Sequence, residues 1–224
     1  MSNFNDVMGA YEKLTALPKR LRSELIFHGG SVPYAVLGKS PAPARPNFSD
    51  IDISINESNF KMVRDELDDR FGGAINGISL SVVALSKQKC ERLGWDDIIE
   101  NHLVKLPSGD FEIDTKVLYG WEKPINDFIA VTKILGTDVN IYPHEFTHIS
   151  KWRAICRDKW RIKKDWADIQ FIGANLDELG FNVNKVGELN KHLPWDFIKV
   201  AKKIENGKVV KEMNQTEWRE VFGK

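Results

Sequence analysis

Apolar positions recur first at helical spacing, then at alternate residues, then at helical spacing again. Phe4, Val7, Met8, Tyr11, Leu14 and Leu17 form one stripe and predict a helix over residues 3–21. ELIFHGGS reads as a short apolar strand ending in Gly29 and Gly30, and residues 31–38 as a short helix stopped by Gly38. The stretch KSPAPARPN, with Pro41, Pro43 and Pro46, excludes regular structure. FSDIDISI is a second strand, and NESNFKMVRDELDDRF an amphipathic helix halted by Gly72 and Gly73. ISLSVVALS is a third strand, and HLVKLPSGDFEIDTKVLYG a hairpin around Pro-Ser-Gly-Asp. From Pro143 the spacing is helical through Leu176, with short helices and loops after it. The fold class expected is α/β (α+β), with a mixed central sheet and a mainly helical C-terminal domain. The expected division is 1–120 for the sheet domain and 121–224 for a helical domain completing a cleft.

Composition changes this picture little. The chain has 224 residues, 42% of them hydrophobic, and a formal net charge of +0. That is enough to bury a core, and no global field favours nucleic acid or a membrane. Cys90 and Cys156 stand far apart, which suits a reducing cytoplasm rather than a disulfide framework. There is no apolar leader and no long apolar run, so neither a signal peptide nor a membrane span is expected, and the localisation expected is cytoplasmic.

The candidate chemistry starts at FSDIDIS. Asp50 and Asp52 share one face of a strand, with Ile51 and Ile53 on the other. Two neighbouring carboxylates repel, and a bound divalent cation offsets that repulsion. Just upstream, Gly29 and Gly30 let backbone approach a ligand closely, and Ser31 adds a hydroxyl. Together these supply a phosphate cradle followed by a carboxylate pair. Two-metal phosphoryl transfer calls for a third carboxylate on another strand. FEIDTKV offers Asp114, with Glu112 in reserve.

GGS, a helix, SDIDI and a later strand carboxylate together resemble the DNA polymerase β-type nucleotidyltransferase superfamily. The resemblance implies a nucleotidyltransferase fold. It also implies that Gly30 and Ser31 seat an NTP's phosphates. Asp50, Asp52 and Asp114 would then bind two Mg²⁺ ions, with Mn²⁺ as the alternative. GGSVPYAVLGK also resembles the head of CCA-adding enzymes, although Pro33 and Tyr34 stand where that group has an Arg-Asp pair. Further on, Lys151, Ala154, Arg157, Arg161, Lys164, Asp165 and Asp168 are similar to the helical signature of bacterial abortive-infection nucleotidyltransferases of the AbiEii type. RPNFSDIDISI, with Arg45 one residue further upstream, resembles their R-x-S-x-D-I-D-L stretch. The implied activity is transfer of an NMP from NTP to an acceptor with release of pyrophosphate. The acceptor is RNA (tRNA included), a protein or a small molecule. A catalytically idle nucleotide-binding or toxin–antitoxin module is the alternative.

Lys151 and Lys164 are the cations expected near the nucleotide, on one helix with Trp152, Ile155, Trp160, Ile162, Trp166 and Ile169 on its buried side. Thr147 and Ile155, one turn either side of Lys151, are neutral, so its ammonium is expected to stand clear of acids and reach a phosphate. Lys164, four residues before Asp168, is expected to be structural. A rival pattern overlaps: His144-Glu145-Phe146-Thr147-His148 is the HExxH of zinc metalloproteases. Pro143 puts these histidines at a helix start, and Glu178 or His192 would have to supply a third ligand.

Overall fold

The computed structural model describes residues 3–41, 43–85, 98–105, 111–118, 129–157 and 162–190. It divides into two compact units. One is Met1–Ser40 with Pro46–Tyr142, and the other is Pro41–Arg45 with Pro143–Lys224.

The first unit is mixed α/β. Helices α1 (Phe4–Thr15) and α2 (Lys19–Arg22) precede strand β1 (Ile26–His28) and helix α3 (Val32–Leu37). Strand β2 (Asp50–Asn56), helix α4 (Glu57–Phe71), β3 (Ala74–Ile75) and β4 (Ile78–Leu85) follow. Then come β5 (Ile98–Lys105), β6 (Phe111–Leu118), β7 (Ala130–Ile134) and β8 (Thr137–Ile141). All eight strands join one sheet of order β6-β5-β4-β2-β1-β8-β7, with β3 paired to β4. β2 runs antiparallel to β1 and parallel to β4, and β1 runs parallel to β8, so the sheet is mixed.

The helix expected over 3–21 is two helices. Pro18 disfavours the helical region for Leu17 and removes a donor, so α1 ends at Thr15. Arg22 Nη1 then donates to the carbonyls of Thr15 and Leu17, both at 3.0 Å, and satisfies the broken end. At the other end, Asn3 and Asp6 form a reciprocal capping box. Gly38 and Gly72 close α3 and α4 in the left-handed conformation, as their sequence positions predict.

Residues 130–141 form the hairpin β7–β8, within the 121–224 stretch expected to be a mainly helical domain. Its two turn residues, Leu135 and Gly136, have φ of 52° and 78°. The same geometry joins β3 to β4 through Asn76 and Gly77, the pair such turns favour. Leucine at positive φ hides the turn from a sequence reader. Leu135→Asn should raise stability by about 1 kcal/mol, since the side chain is 53% exposed and packs little. Thermal melts of the two proteins measure it.

In the second unit, α5 (His144–Arg157), α6 (Ile162–Ala174) and α7 (Val183–Asn190) are helical, with α5 packed on both α6 and α7. The single helix expected to carry Lys151 and Lys164 is therefore two. Ile149, Trp152, Ile169, Ile172, Leu176 and Val186 are buried there. Trp152 meets Trp166 edge-on at 5.4 Å, yet Trp166 is 36% exposed, contrary to its expected place in the core. Among the described residues no helix is long and apolar enough to cross a membrane.

Candidate functional site

Strand β2 is built as its alternation dictates. Ile51, Ile53 and Ile55 are fully buried on one face, while Asp50 and Asp52 are half-buried on the other. β1 lies antiparallel beside it, with His28 opposite Asp52. The chain leaves β1 directly into Gly29, whose φ is +81°. That turn and the carboxylate meet: a Cβ on Gly29 would sit 2.0 Å from Asp52 Oδ2 and 3.0 Å from Cγ. The conformation favours glycine, and any side chain here would have to push the Asp52 carboxylate aside. The glycine loop and the DID strand, distant in sequence, therefore adjoin.

The neighbours of the two acids are polar. Ser49 Oγ donates to Asp50 Oδ1 at 2.7 Å. Across the parallel pair, Ser79 stands opposite Asp50 and Ser81 opposite Asp52. His28, Asp52 and Ser81 thus occupy one row across three strands. His28 stacks at 5.1 Å on Tyr142, and its Nε2 is buried with no hydrogen-bond partner among the described residues. Ser31, at the start of α3, is buried and shares a 2.9 Å hydrogen bond with the Tyr11 hydroxyl. Of these, Ser79 and Ser81 were within reach of the alternation in ISLSVVALS. His28 and Tyr11 needed the register and the packing.

Asp50 and Asp52 are hard oxygen donors on one strand face, the kind magnesium takes, and they fit that ion. Asp114 sits elsewhere on the sheet. It pairs with His102, His102 with Val83, and Val83 with Ser54. Strands β4 and β5 thus separate it from β2, a backbone span of about 14 Å at the usual strand spacing. The structure does not bring Asp114 or Glu112 alongside the pair, and the side chains of β6 lie outside the described residues. Among the described residues, no three His, Cys, Asp or Glu side chains gather into a cation-holding group.

The expectation that Lys151 stands clear of acids is corrected. Lys151 Nζ is 2.9 Å from Asp165 Oδ1 and 3.3 Å from Asp168 Oδ2. Arg45 completes the cluster with an ion pair to Asp168. All four groups are buried, and their charges cancel. The acids come from the facing helix α6 rather than from the next turn of α5, which is why helical spacing alone left Lys151 without partners. Lys164 is half-buried on α6.

The HExxH residues are interior. His148 is fully buried, its ring edge-on to Phe181 at 5.7 Å. The Glu145 carboxylate accepts the backbone N–H of Asn182 ahead of α7 and so caps that helix. His192 lies outside the described residues. Burial pushes the imidazole of His144 down to about 4 and that of His148 down to about 3. Unfolded, both take up a proton near 6.5. The unfolded chain thus binds more protons below that value, and stability falls as pH drops through the window between 6.5 and the folded values. Glu145 opposes this in part. Burial raises its carboxyl above 4.5, so the folded form gains a proton first as pH falls. Moving from about pH 8 to about pH 5.5 should cost about 3 kcal/mol through the two histidines. Urea melts at both pH values measure it, and His144→Gln with His148→Phe should flatten the difference.

No protein family, curated protein or solved structure matches this chain.

Proposed function

We propose that the chain is a metal-dependent nucleotidyltransferase that moves an NMP from an NTP to an acceptor and releases pyrophosphate. The observation that carries this reading is the contact of Gly29 with Asp52, which joins a glycine loop to a carboxylate pair. On this reading the first unit has the nucleotidyltransferase fold and the second is its helical C-terminal domain. Asp50 and Asp52 would hold Mg²⁺, or Mn²⁺ in its place. The ion, when bound, neutralises phosphate charge and acidifies the acceptor hydroxyl. Gly29 and Gly30 admit the triphosphate close to backbone N–H groups, and Ser31 donates to it. The buried Lys151 holds Asp165 and Asp168 rather than meeting a phosphate. Asp114 stands too far across the sheet to share a metal with Asp50 and Asp52.

A second reading has a specific observation behind it. Strands β1 and β4, flanking β2, set His28 and Ser81 beside Asp52 rather than a third acid. That favours a nucleotide-binding module without transfer, as in a toxin–antitoxin interaction protein. Binding of NTP with Mg²⁺ tests the shared part of both readings. Wild type should bind, and Gly29→Ala should weaken binding at least tenfold, because its methyl group displaces the Asp52 carboxylate. Equal binding by both proteins would remove the carrying observation.

A further inference from the structure

We infer that Tyr11 is a positioning residue that sets the direction of the Ser31 hydroxyl toward the phosphates of a nucleoside triphosphate. The inference rests on the proposed nucleotide site. Tyr11 sits on α1, far from the GGS segment in sequence, yet its hydroxyl is 2.9 Å from Ser31 Oγ. Its ring is fully buried and edge-on to Phe27 at 5.5 Å, one strand position before His28 and two before Gly29. The phenol is therefore held in place by packing, and the serine rotor is the movable partner.

Proton counting gives the bond a direction. A serine hydroxyl has one proton and two lone pairs. A phosphate oxygen is an anion and only accepts. For Ser31 to donate to it, the Ser31 proton must point at the phosphate, and the Tyr11–Ser31 bond must then be filled by the tyrosine proton. Phenol, with a pKa of about 10, is the better donor of the two. The chain Tyr11 O–H to Ser31 O–H to phosphate is one in which each bond polarises the next. With phenylalanine at position 11, Ser31 Oγ loses its donor and its orientation, though not its hydroxyl. No proton is transferred and no bond is broken.

The test uses the whole protein and inorganic tripolyphosphate with Mg²⁺, a probe that carries phosphates without a base or sugar. Its dissociation constant is measured by calorimetry for wild type, Tyr11→Phe, Ser31→Ala and the double variant, with a thermal melt of each. Tyr11→Phe keeps the ring against Phe27 and should stay folded. It should bind about fivefold more weakly, and the double variant no more weakly than Ser31→Ala alone. Wild-type affinity in Tyr11→Phe with a lowered melting temperature would make the bond purely structural and overturn the inference. So would additive losses in the double variant, and either result leaves the nucleotide site standing. Failure of wild type itself to bind would overturn both.

Discussion

Asp168→Asn should lower stability by about 3–5 kcal/mol, roughly 10 °C in melting temperature for a chain of this size. Asp168 takes the Arg45 guanidinium and lies 3.3 Å from the Lys151 ammonium. Its side chain is wholly shielded from water, and those of Arg45 and Lys151 are only 4% and 9% exposed. Removing one negative charge leaves two buried cations to share Asp165, and a buried unpaired charge costs far more than a lost surface pair. The decisive comparison is charge parity. Arg45→Met with Asp168→Leu removes one charge of each sign and leaves Lys151 with Asp165. It should recover most of the loss, because a buried pair is worth little more than apolar groups of the same volume. If the double variant is as unstable as Asp168→Asn, shape rather than charge governs the cluster.

Asp52→Asn should abolish the proposed nucleotidyl transfer, by at least about a thousandfold, while leaving the fold intact. The amide keeps the size of the carboxylate against the Gly29 α-carbon, so the tight contact of loop and strand survives. It removes one of two neighbouring negative charges, so the melting temperature without Mg²⁺ should hold or rise. Wild type should be stabilised on adding Mg²⁺ with NTP, and the variant should not be. Activity and melts with and without Mg²⁺ read both effects. In Asp50→Asn the amide oxygen can go on accepting from the Ser49 hydroxyl, so that hydrogen bond is kept while the charge is lost.

Much of the candidate site's geometry was legible because it lies in two short segments whose local rules are strong. Alternation set the face of Asp50 and Asp52, and Gly29 marked where backbone comes close to the Asp52 side chain. Gly38 and Gly72 stopped their helices where they stand. What the sequence hid depends on long-range pairing. The parallel pairing of β2 with β4, across the helix α4, decides which residues flank Asp52 and moves Asp114 three strands away. The hairpin β7–β8 was hidden by a leucine in a turn position that favours asparagine or glycine. Lys151 looked unpartnered because its acids lie across a helix–helix contact, which no i±4 rule can see. The HExxH pattern is a five-residue match whose glutamate accepts a backbone N–H at the start of a neighbouring helix.

The most direct measurement incubates wild type and Asp52→Asn with each α-labelled NTP, Mg²⁺ and pools of cellular RNA, protein and small molecules. Label should enter one of the pools with wild type, with pyrophosphate released, and none should enter with Asp52→Asn. Label transfer that persists in Asp52→Asn would contradict the account. So would a wild-type protein that neither transfers label nor binds NTP with Mg²⁺.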